Sequence, residues 1–125
     1  MANSIITLKA KEKIVKARAN IAPIAPIAGF CFGTGGAVGS DVIPPSFSAS
    51  SLNHEVLRKP FDTVVQTSST SFKYKVTLTA ANIPNVGINE IGLYDTDGDL
   101  IVIKTFQTKP KDPDIDMGFE IDDTF

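Results

Sequence analysis

The run Phe72-Lys73-Tyr74-Lys75-Val76-Thr77-Leu78-Thr79 alternates apolar and polar side chains without a break. In an extended strand, successive side chains point to opposite faces. Phe72, Tyr74, Val76 and Leu78 therefore share one face, and the lysines and threonines share the other. A chain carrying this pattern must build a sheet with one buried and one wet side.

Other segments read the same way. Ile88 to Tyr94 and Leu100 to Phe106 are β-rich and are joined by Asp95-Thr96-Asp97-Gly98, the composition of a hairpin turn. Further strands are expected at about 27–33, within Glu55 to Gln66 with Pro60 at a bend or edge, and at Gly118 to Ile121. The repeat Ile21-Ala-Pro-Ile-Ala-Pro-Ile27 lacks amide donors at its prolines and must be extended connecting chain. Gly33 to Gly39 is a glycine-rich loop closed by Pro44-Pro45, and Asn82 to Gly87 turns around Pro84. Ser48 to Asn53 is expected to form a short helical turn, and Lys109 to Pro113 an exposed linker. Residues 5–19 are rich in good helix formers, with Ser4 or Thr7 to cap the start and Ile6, Ala10, Ile14 and Ala17 near one face.

A chain of 125 residues fits one domain and can bury a sufficient core without staples. These elements predict an α+β fold, mainly β, over residues 1–125. An N-terminal helix at 1–20 precedes a β-rich body at 21–108, a mostly antiparallel sheet or sandwich, and an acidic segment follows at 109–125.

Charge narrows the partners. The formal net charge is −2, where a nucleic-acid binder usually carries a basic excess, so no nucleic acid is expected. The distribution is uneven. Lys9, Lys11, Lys13, Lys16 and Arg18 face only Glu12, whereas Asp112, Asp114, Asp116, Glu120, Asp122 and Asp123 crowd the other end. Lys9, Lys13, Lys16, Arg18, Asp112, Asp114, Asp116, Asp122 and Asp123 are therefore candidate assembly contacts, within one chain or between neighbours. If neighbours meet this way, their assembly weakens with salt. The apolar stretch Ile21 to Phe32 is interrupted by Pro23 and Pro26 and is too short to span a bilayer, so no membrane insertion and no secretory leader are expected. The single cysteine, Cys31, allows no intrachain disulfide, lies in an apolar run and fits a reducing cytoplasm.

The reactive motifs fail on named residues. With Gly33 as the first glycine, both the phosphate loop and the dinucleotide fingerprint need a glycine where Val38 stands, and no lysine follows. Asp95-Thr96-Asp97-Gly98-Asp99 resembles the start of a calcium loop, but Leu100 and Phe106 occupy the positions that need glycine and glutamate. His54 is the only histidine, and with Cys31 it cannot complete a zinc site or a triad. Glu55 and Glu90 form only a generic carboxylate pair. No catalytic residue, metal or cofactor is expected.

Two segments are more specific. One is Leu52-Asn-His-Glu55-Val56-Leu-Arg58-Lys-Pro60, and the other is Ile88-Asn-Glu90-Ile91-Gly92-Leu93-Tyr94-Asp95-Thr-Asp97-Gly98-Asp-Leu100-Ile101. Together they resemble the N-terminal domain of phage tail-collar fibre proteins. That family carries a Leu-x-x-Glu-Val-x-Arg element and a Glu-Ile-Gly-Leu-Tyr/Phe-Asp-x-Asp-Gly-x-Leu-Ile hairpin. The order of elements is also similar, and the likeness fades beyond about residue 108.

The resemblance implies a non-enzymatic virion component of a tail or tail-like particle, assembled in the host bacterial cytoplasm. Its partners would be other tail, baseplate or fibre subunits, with a homo-oligomer, a trimer by family analogy. In the family this domain joins a fibre to the baseplate or tail, and a shaft and tip follow. Here the sequence stops at Phe125, so a fibre/baseplate adaptor is the expectation. The alternative is a host-surface glycan recognition module. Tryptophan is absent and only Tyr74 and Tyr94 are tyrosines, which weighs against that alternative.

Within the hairpin, Ile91 and Leu93 point one way and Gly92 and Tyr94 the other, and Gly92 leaves room for a close neighbour. Glu90 stands in an otherwise apolar strand, and if buried it needs a partner. Arg58 is the natural candidate, since guanidinium binds carboxylate with two parallel bonds.

Overall fold

The computed structural model describes residues 3–125. The chain runs β1 (Asn3–Ile6), α1 (Leu8–Arg18), β2 (Ile27–Gly33), β3 (Ala37–Val38), β4 (Asp41–Val42), β5 (Glu55–Pro60), β6 (Thr63–Ser68), β7 (Ser71–Leu78), β8 (Gly87–Asp95), β9 (Leu100–Pro110) and β10 (Met117–Thr124). The strands form a five-stranded sheet in the order β1-β9-β8-β2-β5, a three-stranded sheet β10-β7-β6, and the small pair β3-β4. Every pairing is antiparallel. This is the mainly β, α+β architecture that the alternation patterns predict.

The two larger sheets share one core. Phe30, Phe32, Ile91, Leu93, Val102 and Phe106 of the first sheet meet Val76, Leu78 and Ile121 of the second. Phe119 stands edge-on to Phe32, with ring centroids 5.5 Å apart. A separate cluster of Cys31, Leu52, Leu100 and Ile103, with Ile5, Ala49 and Tyr94 against it, covers the opposite face of the five-stranded sheet. Ile91 and Leu93 thus point into the first cluster and Tyr94 into the second, as the period of two requires. Gly92 is where the backbone comes close: a Cβ there would lie 2.7 Å from the Val102 carbonyl oxygen.

The helix is shorter than residues 1–20. Residues 1 and 2 lie outside the described residues, and Asn3–Ile6 form an edge strand on β9. Thr7 sets the boundary. Its hydroxyl accepts from the Ala10 amide and donates to the Leu100 carbonyl, while its own amide donates to Ile101. It is at once N-cap and anchor, and it is fully buried. At the other end Asn20, at φ 56°, closes the helix in the left-handed region that asparagine tolerates.

Two loop expectations are corrected. Ser48 to Asn53 contains no helix; a turn at Phe47-Ser48 leads to irregular chain that Leu52 fastens to the core. Lys109 to Pro113 is not an exposed linker throughout. Lys111 is 1% exposed, and its ammonium donates to the carbonyls of Ala80 and Asp112, while its backbone pairs with Val86 and Asn85. Two backbone acceptors make that burial tolerable.

Candidate functional site

The two motif segments meet in space, through partners that their sequences do not suggest. Glu90 on β8 is 1% exposed. Its Oε2 accepts from the amides of Gly35 at 2.7 Å and His54 at 2.8 Å, and its Oε1 accepts from the Asn53 amide at 2.9 Å. One carboxylate thereby ties the glycine loop and the turn before β5 onto β8. Beside it, Asn89 accepts from the Gly36 amide at 2.6 Å. The glycines are needed for this approach, since a Cβ on Gly36 would fall 2.2 Å from the Asn89 carbonyl oxygen. The loop closes around the protein's own carboxylate, and its amides are engaged there.

The expected Arg58–Glu90 pair is corrected, and strand register is the reason. Across the sheet, Glu90 lies level with Gly33 and then Glu55, whereas Arg58 lies level with Cys31 and then Gly92. Arg58 is thus two rows away, toward the hairpin tip. Its Nε donates to Glu55 Oε2 at 2.8 Å, and its Nη1 donates to the Gly98 carbonyl at 3.0 Å. The guanidinium lies over the Tyr94 ring, 4.7 Å from its centroid. The Glu55 hydrogen bond raises the pKa of Arg58 above its ordinary value. Both motifs remain joined, by Arg58 on Tyr94 and Gly98 and by Glu90 on Asn53 and His54.

The acidic turn is closed by a lysine. Asp95 is buried, and its Oδ1 accepts from the amides of Asp97 and Asp99. Lys13 of α1 places its ammonium among all three carboxylates, 3.1 Å from Asp97 and 2.6 Å from Asp99, with Asp95 in direct contact. These carboxylates converge closely enough to hold a metal ion, and Lys13 is the cation that sits among them. Partial burial acts to lower the Lys13 pKa, but the hydrogen bonds to Asp95, Asp99 and Asp97 outweigh it and the net shift is upward. The same Lys13 bond lowers the pKa of Asp99. Lys13 therefore fastens the helix to the hairpin within the chain.

The remaining charged candidates divide. Lys9, Lys16 and Arg18 are exposed on α1, and among the described residues none forms an ion pair. Asp112, Asp114, Asp116 and Asp122 are exposed. Asp112 accepts from the Asp114 amide and Asp116 from the Ala80 amide, so two of them also shape the turn before β10. Among the described residues, the basic helix and the acidic segment form no ion pair with each other. Asp123 is half-buried and borders an apolar groove of about 370 Å³ between α1, Ile24 to Ile27 and the end of the second sheet at Tyr74 and Phe125. Desolvation there raises the Asp123 pKa. Burial raises the Tyr74 pKa, and the Asp123 charge adds to the effect. Cys31 is buried, and desolvation pushes its thiol up to about 12, which makes it inert.

Sequence reasoning did not identify Thr7, Asn89 and Lys111 as structural polar residues. Thr7 stood as one of two capping candidates, but its bonds to β9 carry no sequence signal. Lys111, between Pro110 and Asp112-Pro113, has the composition of a solvated linker.

The family model for the N-terminal part of phage tail-collar fibre proteins matches residues 1–120. No curated protein and no solved structure matches the chain.

Proposed function

The chain belongs to the phage tail-collar fibre proteins, through their N-terminal part, and from that premise we propose that it is an adaptor, joining a fibre to the baseplate or tail by protein–protein contact. Membership makes it a structural protein of the virion tail. The adaptor role rests on one observation. The polar residues of both motifs are bonded inward, to backbone amides, to Lys13 or to each other, while Lys9, Lys16 and Arg18 near one end and Asp112, Asp114, Asp116 and Asp122 near the other face outward and, among the described residues, form no ion pair. Such a molecule has a fixed frame and two electrostatic handles, the arrangement a connector needs.

Self-association belongs to the same reading, with a trimer expected by analogy with fibres. Assembly in the host cytoplasm is supported by a lone, buried thiol that needs no oxidation. The glycan alternative gains nothing from the tyrosines. Tyr74 is half-buried against Phe61, and Tyr94 lies beneath Arg58.

The test is a triple charge reversal, Lys9→Glu, Lys16→Glu and Arg18→Glu. It should change stability by only about 1 kcal/mol, since these side chains are exposed and, among the described residues, form no ion pair, Lys9 adding a coulombic pull on Asp99. The variant should nevertheless be lost from purified tail particles, as read by quantitative mass spectrometry. Incorporation at the wild-type level would contradict the electrostatic handle.

A further inference from the structure

β6 is the least protected edge in the molecule. Among the described residues, it pairs with β7 alone, and all six residues of Thr63-Val-Val-Gln-Thr-Ser68 are exposed. A free edge presents unpaired N–H and C=O groups to any extended chain, and sheet proteins usually guard it with charge, proline or cover. The other edges of this fold are guarded. β5 carries Arg58, Lys59 and Pro60, and β10 carries Glu120, Asp122 and Asp123. β1 is blunted by its length, four residues that end at the buried Thr7. β6 has no charge and no proline, is rich in β-formers, and exposes Val64 at 41% and Val65 at 54%.

We propose that β6 docks antiparallel on the β6 of a second copy of this chain, with Val65 on the two-fold axis. The choice of occupant follows from charge and symmetry. In an isologous contact each residue meets its own kind, or a near neighbour, on the same face. Self-pairing of β10 would set carboxylates against carboxylates, and self-pairing of β5 would place prolines and cations in the ladder. Self-pairing of β6 has no like charge to separate. A two-fold through Val65 pairs Val65 with Val65 and Val64 with Gln66, within the regular part of the strand that ends at the register shift after Gln66, and these are uncharged pairs suited to adjacent strands. The two three-stranded sheets then become one of six strands, β10-β7-β6-β6-β7-β10. This register joins the outer faces of the two sheets to each other, so the inner faces remain continuous as well.

The inference is independent of the adaptor reading, because it concerns how two copies meet and not what they attach to. The contact leaves α1, β10 and the acidic segment free, so it coexists with three-fold packing through those surfaces.

The experiment uses three single-cysteine additions, Val64→Cys, Val65→Cys and Gln66→Cys, under mild oxidation of the full chain; the native Cys31 is buried and does not compete. Directly opposed antiparallel residues bring their Cβ atoms within disulfide reach. Val65→Cys should form a disulfide-linked pair, and the other two should not. In parallel, Val65→Lys, which places like charges on the axis, should halve the mass of the wild-type particle in sedimentation while leaving its circular dichroism unchanged. Crosslinking at 66 in place of 65, equal crosslinking at all three sites or at none, or a wild-type mass that Val65→Lys does not alter would overturn the proposal.

Discussion

The two larger sheets differ in how their polar groups are held. On the five-stranded side, Glu90, Asn89, Asp95, Arg58 and Thr7 each bond a segment distant in sequence, and every one of these bonds ends on the β8–β9 hairpin or its turn. The three-stranded side has the fewer such ties: Lys104 reaches Glu120, Lys59 reaches Thr77, and Lys73 pairs with Glu120 at 3.5 Å in an exposed setting. Its inner face contributes Val76, Leu78 and Ile121 to the core, but Phe72 at the end of the same row is 43% exposed. The difference teaches where rigidity and contact reside. The motif-bearing sheet is a frame with its polar groups closed inward, and the smaller sheet offers an open edge and uncovered apolar side chains.

Breaking the frame should cost most at Glu90. Glu90→Ala leaves three part-buried amides without their acceptor, and a buried donor so stranded costs about 1–3 kcal/mol. A loss of roughly 3 kcal/mol or more is expected in urea unfolding. Arg58→Ala, at a partly exposed pair and an aromatic stack, should lose only about 1 kcal/mol. Equal losses for the two would return Arg58 to the role of Glu90's partner.

Lys13→Ala comes next. It leaves the buried Asp95 carboxylate beside two others without their cation, and about 2 kcal/mol of stability should be lost in the same assay. Thr7→Ala removes an N-cap and a buried donor to Leu100, for about 1–2 kcal/mol. A Thr7→Ser variant should recover most of it.

The smallest effect separates the two sheets by pH. Asp99 on the frame has a lowered folded pKa, so its contribution is present above the ordinary aspartate range and is lost as pH falls through the folded value. Asp123 on the smaller sheet has a raised folded pKa, so its effect has the opposite sign. Stability is greater below its unfolded pKa and is lost as pH rises through the folded value. Asp123→Asn should therefore raise the melting temperature at neutral pH and change it little at low pH. Asp99→Asn should lower it at neutral pH.

Much of the fold was legible in local pattern. Alternation found β7, the Asp-Gly turn found the hairpin β8–β9, and the proline repeat marked the connection before β2. Register was not legible. Glu90 and Arg58 have complementary chemistry, and an offset of two rows leaves Glu90 to three backbone amides and Arg58 to Glu55. The same limit hid Lys13, because nothing in a run of basic helix residues marks the one that meets the hairpin turn. β1 was absorbed into the helix because Ser4-Ile5-Ile6 adjoins helix-forming sequence, and only pairing with β9 makes it a strand. Phe72 illustrates the converse. Alternation assigns it to the buried face, yet it is 43% exposed.

Hydrogen exchange, comparing the dilute free chain with the same chain in purified tail particles, tests the central claim most directly. A closed frame and an open contact region predict strong protection of amides 88–106 in both states, with protection at β6 and along α1 rising on assembly. Unchanged exchange at β6 and α1, or new protection confined to the hairpin, would contradict it.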